Sequence, residues 1–211
     1  MLNEISIPLF PLGATLFPQG KLSLKIFEVR YLEMIKKCVQ DKTPFGVVTI
    51  KVGSEVRVAG KEVEFFDLGT LAYIKEFDAL QPNLFMVVCE GAQRFEVKHR
   101  ELQKNGLWTA NVELLPADPI VTIPPELRRA ADLLEQSIDL FKKSGLPLER
   151  LPLFFPVRLD ECGWVANRWS EILDLTPAQK ILLLGQIQPR LRLDLVAEFL
   201  DDLEKSSNQT L

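Results

Sequence analysis

Chemistry in this chain would have to come from very few side chains. His99 is the only histidine, and the three cysteines, Cys38, Cys89 and Cys162, stand far apart with no C-x-x-C among them. A thiol nucleophile needs a base beside it, so His99 with one of these cysteines is the only Cys–His arrangement on offer. His99 falls within Phe95-Glu96-Val97-Lys98-His99-Arg100, an alternating run that reads as a strand rather than a catalytic loop. Each cysteine has apolar neighbours, as in Val87-Val88-Cys89, and reads as a small buried hydrophobe. No G-x-S-x-G surrounds a serine, no Gly-rich phosphate loop occurs, and a zinc site has no donor set from which to form. Asp201-Asp202 reads as the solvated face of a helix rather than a cation site. The residues predict no cofactor, no metal and no enzyme; they point to a protein that binds.

Aromatic residues are the candidates for binding. Thr70, Ala72 and Ile74 alternate with Leu71, Tyr73, Lys75 and Phe77, and Phe65-Phe66 precede them. If both faces of such a strand were core, Glu64, Asp67 and Lys75 would be buried at considerable cost. A half-exposed strip of Phe65, Tyr73 and Phe77 therefore suits an extended apolar peptide, with Phe155 of Phe154-Phe155 as a second contact. The competing reading buries these rings under a helical layer or inside a barrel. Polyanions are a poor fit. Residues 1–120 carry 14 basic and 15 acidic side chains and residues 121–211 carry 11 and 14, so neither part is basic.

The elements that would position these groups fall into two regimes. Up to about residue 115 the apolar runs are short and rich in Val, Ile and Phe: Ile5–Phe10, Leu22–Phe27, Phe45–Ile50, Val63–Asp67, Thr70–Phe77, Leu84–Glu90, Phe95–Arg100 and Leu107–Leu114 read as strands. Lys61-Glu62 and Gln81-Pro82-Asn83 supply turns, and Glu90-Gly91-Ala92-Gln93 reads as a tight hairpin with Gly91 at positive φ. One helix interrupts them, about Glu28–Gln40, with Val29, Leu32, Ile35 (or Met34) and Val39 as its apolar stripe. Four prolines in 116–125 mark a boundary. Beyond it the period is helical: Leu127–Phe141, then about Gly163–Leu173, a helix capped by Thr176 and Pro177, and about Pro189–Leu203, with a polar, frayed end at 205–211. The N-terminus lacks a basic leader region, and no apolar run reaches the roughly 18 residues of a membrane span. A soluble, cytoplasmic protein is expected, with no membrane partner.

In order along the chain, these pieces resemble the N-terminal substrate-binding domain of the Lon protease family. Ile7-Pro8-Leu9-Phe10-Pro11-Leu12 with Leu16-Phe17-Pro18 resembles its opening strand and turn. Phe27-Glu28-Val29-Arg30-Tyr31 is similar to its helix entry, and Leu68-Gly69-Thr70-Leu71-Ala72-Tyr73-Ile74 to its central strand. Glu90-Gly91-Ala92-Gln93-Arg94-Phe95, Val165-Ala166-Asn167-Arg168 and Leu175-Thr176-Pro177-Ala178-Gln179-Lys180 complete the pattern over about residues 5–203. The resemblance implies an α+β fold: a PUA-like β pseudo-barrel of six or more strands with one helix in residues 1–118, then a four-helix bundle in residues 119–211. It implies recognition of unfolded or tagged polypeptide, with an ATP-dependent protease as a further partner; the ATPase and protease motifs of full-length Lon are not in these 211 residues. A Lon-like domain in the substrate receptor cereblon supports the same theme. The alternative, by analogy with PUA-like folds, is RNA or nucleotide binding. Phe17, Pro18, Arg30, Gly69, Gly91 and Arg94 carry the resemblance and read as fold determinants. Arg30 opposes the helix dipole and needs a carboxylate or carbonyl partner, and Arg94 is expected to pair with Glu90 or Glu96.

Overall fold

The computed structural model describes residues 4–55, 63–145, 147, 151 and 153–208, with the backbone alone at 206–208. The Lys61-Glu62 turn and part of the 146–156 connector lie outside the described residues. Six strands come first: β1 (Glu4–Leu12), β2 (Lys21–Ile26), β3 (Phe45–Val52), β4 (Glu64–Gln81), β5 (Leu84–Leu102) and β6 (Trp108–Leu114). They form one mixed sheet in the order β2-β5-β4-β3-β1-β6, and a further β5–β6 pairing closes β5, β4, β3, β1 and β6 into a ring. β1 and β3 are parallel, and the remaining pairs are antiparallel.

Alternation explains what the ring encloses. Ile7, Leu9, Val48, Phe65, Leu71, Phe95, Val97, Ala110 and Val112 form one buried cluster among its strands. Gly46 and Gly69 make room for it, since a Cβ at Gly69 would stand 2.4 Å from the Val47 carbonyl oxygen and 2.5 Å from the Phe95 ring.

Two expected strand pairs prove to be single long strands. β4 unites the expected Val63–Asp67 strand, from Glu64 onward, with Thr70–Phe77, and β5 unites Leu84–Glu90 with Phe95–Arg100. The expected hairpin at residues 90–93 is therefore absent: Gly91 lies inside β5, opposite Ala72, and is not among the glycines with positive φ. The expected turn at Gln81-Pro82-Asn83 is present, with Pro82-Asn83 between the paired ends Gln81 and Leu84. Both strands reach past the ring. β3 leaves β4 at the Phe45–Ala72 pair, so Tyr73–Gln81 pairs only with β5, whose outer half also pairs with β2.

Helix α1 (Val29–Asp41) closes one end of the sheet. Its buried side is Tyr31, Leu32, Met34, Ile35 and Cys38, packed on Phe10, Ile26, Phe45, Phe85, Val87 and Cys89. Val29 and Val39, expected in the stripe, are exposed. The stripe is rotated because the Tyr31 ring, stacked on Phe10 at 3.9 Å, is the larger apolar surface to bury. Lys42 ends the helix in the left-handed conformation, with φ 54°.

Past the proline stretch, a 3₁₀ turn (Pro125–Leu127) leads into α2 (Arg128–Lys143), followed by α3 (Cys162–Ile172), α4 (Pro177–Gly185) and α5 (Pro189–Asn208). α5 runs five residues past the expected end at Leu203. Leu134, Ile138, Val165, Trp169, Leu183, Leu193 and Val196 share one core, with α3 buried along most of its length. Phe17 from the β1–β2 loop is fully buried in that same core. One such side chain contributes about 1.5–3 kcal/mol, and here it fastens the sheet to the helices. Among the described residues, no helix is long and apolar enough to cross a membrane.

Candidate functional site

The outer end of β4 and the C-terminal end of α1 border a groove of about 420 Å³, lined by Cys38, Val39, Lys42, Thr43, Tyr73, Ile74, Lys75 and Phe77. Tyr73 (41% exposed) and Phe77 (39%) bring partly open aromatic surface to it, Val39 flanks them, and Leu80 continues the apolar surface toward the hairpin tip. A bulge sets the two rings on opposite faces of β4, so they border the groove from either side of the strand edge. Ile74 opposes Cys89 and Glu76 opposes Val88, so Lys75 is the extra residue and alternation reverses after it. Phe77 thereby moves to the face of Ile74, where its ring meets Phe85 edge-on at 5.0 Å. The expected common face of Tyr73, Lys75 and Phe77 is corrected accordingly. Lys75 turns to Glu90, 2.7 Å away.

Phe65 does not join them. It is 4% exposed, packs edge-on against Trp108 and lies under the Arg100 guanidinium. The expected three-ring strip is therefore reduced to Tyr73 and Phe77, because Phe65 faces the ring interior. Phe155 is about half exposed on the connector, away from the groove.

The remaining residues singled out in the sequence hold the fold together. Arg30 pairs with Glu28 at 2.9 Å, donates to the Gly106 carbonyl at 2.8 Å and lies over the Tyr31 ring, so its expected partners are present. Phe17 and Gly20 close a turn through a 3.0 Å backbone hydrogen bond, with Gln19 at positive φ in the third position. Pro18 lies within it. Gly91 exchanges backbone hydrogen bonds with Gln19 and Gly20, and a Cβ there would stand 2.1 Å from the Phe17 carbonyl oxygen. Arg94 is buried, but not against Glu90 or Glu96, which are held by Lys75 and Lys98. It pairs with Asp118 at 2.6 Å and donates to the Leu184 carbonyl at 2.7 Å, tying β5 to α4.

Sequence reading missed the other half of this junction. Arg168 of α3, 1% exposed, donates to the carbonyls of Gln19 (2.5 Å) and Pro18 (3.0 Å) and pairs with Glu171 at 3.0 Å. Arg192, also fully buried, reaches Asp118 at 2.5 Å and Asn167 at 2.8 Å. Asn167-Arg168 had appeared in the resemblance, without partners. The signal available for Arg168 was a cation beside the apolar residues Trp164, Val165, Ala166 and Trp169; Arg192, between charged Arg190 and Asp194, carried none. Burial pushes the Glu171 carboxyl up to about 7, against the opposing pull of Arg168 and the Phe17 N–H. A cavity of about 280 Å³ beside this network is lined by Pro18, Arg94, Asp118 and Trp164 among others, and the two charges named there are already engaged with each other.

Thiol and imidazole are kept apart. All three cysteines are free and buried, and burial pushes Cys89 up to about 12, whereas His99 is exposed on β5. Among the described residues, no cluster of His, Cys, Asp or Glu could hold a metal ion.

Comparison with known proteins matches residues 6–202 to the model of the ATP-dependent protease La (Lon) substrate-binding domain. The chain belongs to the Lon substrate-binding domain family. Lon protease of Aquifex aeolicus (strain VF5) is 27% identical over 204 residues, covering 92% of this chain and 24% of that protein. Lon protease of Buchnera aphidicola subsp. Acyrthosiphon pisum is 26% identical over 195 residues, covering 90% and 24%. The chain thus spans about a quarter of the length of the curated relatives it matches. Among solved structures, a Lon N-terminal domain protein from Xanthomonas campestris aligns with TM-score 0.70 and 27% identity, covering 92% of this chain and 98% of that one. The N-terminal domain of Mycobacterium avium complex Lon protease, 14% identical with TM-score 0.57 over 94% and 99%, shares the fold. Membership in this family supports a substrate-recognition role.

Proposed function

We propose that this Lon substrate-binding domain recognises unfolded or tagged polypeptide through the groove between α1 and the outer half of β4, without catalysing a reaction. The observation that carries the reading is the pair of half-exposed rings, Tyr73 and Phe77, on a cavity of about 420 Å³ beside a strand with one open side. Phe155 is a secondary apolar contact. In this reading, residues 1–118 act as a PUA-like pseudo-barrel unit and residues 119–211 as a four-helix bundle that braces it. The unit works in the cytoplasm as an adaptor that presents bound segments to an ATP-dependent protease. RNA binding is not favoured, since the net charge is −4 and neither part of the chain is basic.

Tyr73 and Phe77 are both partly exposed at the border of the fold, so Tyr73→Ser/Phe77→Ser tests binding in a chain that still folds. Fluorescence anisotropy with reduced, carboxymethylated lactalbumin should show about a tenfold or greater loss of affinity, with the variant still folded by circular dichroism. Equal affinity of the two proteins would remove the groove from the binding surface.

A further inference from the structure

Recognition through this groove requires a way to grip an arbitrary unfolded segment, and the topology supplies one. We propose that the free edge of β4, Tyr73–Gln81, accepts an extended client segment of alternating apolar and basic residues as an added β-strand. The inference rests on the reading of the groove as the recognition site and deepens it.

The backbone provides the first argument. β3 starts at Phe45 opposite Ala72, and beyond that pair β4 has a neighbour only on the β5 side. Outward N–H and C=O groups from Tyr73 to Gln81 have no partner among the described residues. A row of donors and acceptors at strand spacing is satisfied along its length by another extended backbone, whatever its sequence.

Space is the second. The lane next to β4, about 4.8 Å away, continues the line of β3, and the chain vacates it at residues 42–44 on its way in from α1. The groove bounded by Val39, Lys42 and Thr43 on one side and Tyr73, Lys75 and Phe77 on the other occupies that lane.

Side chains supply the third argument and set the preference. Directly opposed residues share a face, so Ile74, Phe77 and Ala79, which oppose Cys89, Val87 and Phe85, lie on the apolar face under α1. Glu76 and Asp78 oppose Val88 and Met86 on the other face. Both acids are exposed, and neither forms an ion pair among the described residues. An added strand would meet apolar surface on one side and two carboxylates, with the Tyr73 ring, on the other. Lysine or arginine at alternate positions fits that second side through charge and cation–π attraction. The same acids disfavour a second copy of the chain: antiparallel pairing of two such edges about Phe77 sets Glu76 against Asp78, a like-charge contact.

The test uses a fluorescein-labelled nine-residue peptide of alternating valine and lysine. Its controls are a valine–glutamate counterpart and two N-methylated forms, one methylated at the valines and one at the lysines. Each is titrated by anisotropy against the wild-type chain and the Glu76→Lys/Asp78→Lys variant, with carboxymethylated lactalbumin in parallel. The expected result has three parts. The valine–lysine peptide binds at least tenfold more tightly than the valine–glutamate one, the variant reverses that order, and one of the two N-methylated forms loses at least tenfold. If neither N-methylated form is weakened, or the variant keeps the original order, edge pairing is overturned. Lactalbumin binding without peptide binding likewise overturns edge pairing and leaves client recognition intact; if neither binds, both readings fall.

Discussion

Glu171 and Gly91 show how tightly the join between sheet and helices is specified. The Glu171 carboxyl is raised from its ordinary value near 4.5 to about 7 by burial, so the folded chain keeps a proton that the unfolded chain releases from about pH 4.5 upward. The folded state binds more protons in that window, and stability falls as pH rises from 4.5 to 7. Glu171→Gln keeps an acceptor for the Phe17 N–H and removes the titration. Urea unfolding should show the variant gaining on wild type across that window by on the order of 3 kcal/mol, with no further change above pH 8. A constant difference across that window would mean that the Glu171 carboxyl titrates alike in the folded and unfolded chains. At Gly91 the constraint is room: a methyl group would press on the Phe17 carbonyl at 2.1 Å. Gly91→Ala should cost about 3 kcal/mol, the upper end of overpacking penalties, measured by the same unfolding assay. The residue types at this join were visible in the sequence, but their partners were not. Arg168 meets its carbonyl acceptors about 150 positions away, and no local pattern encodes that.

Among the elements, those with strong local signals were legible. α4 begins with Thr176 as N-cap and a reciprocal capping box with Gln179, as the spacing predicts. Thr176→Ala should lower stability by about 1 kcal/mol, read from the urea midpoint; an unchanged midpoint would show that the cap is redundant with packing. The long strands were legible only in pieces. Alternation in β4 is broken at Lys75, where two steps along β4 answer one along β5, and such a shift exchanges the faces seen by residues beyond it. That is why Phe77 was assigned to the wrong face yet still borders the groove, whereas Phe65 is enclosed because its part of β4 lies within the ring and Tyr73 lies beyond it. Gly91 suggested a turn because glycine between two apolar runs usually marks one; its actual task is to let the Phe17–Gly20 turn approach β5. The exposed β4 edge could not be seen from sequence, since it depends on where β3 stops pairing.

At the scale of the molecule, the order of weak motifs along the chain was enough to indicate the family, and the family supports substrate recognition. Ring closure and the shared core at Phe17 make the sheet and the helices one framework that holds the groove in place. The central claim is that clients bind at α1 and the outer half of β4, and hydrogen exchange locates binding directly. The intact chain should be exchanged with and without saturating carboxymethylated lactalbumin. The account predicts slower exchange confined to residues 73–81 and to the end of α1 near residues 38–43. Protection centred on the helices α2–α5 or on the Arg94–Asp118 junction, with residues 73–81 unchanged, would contradict it.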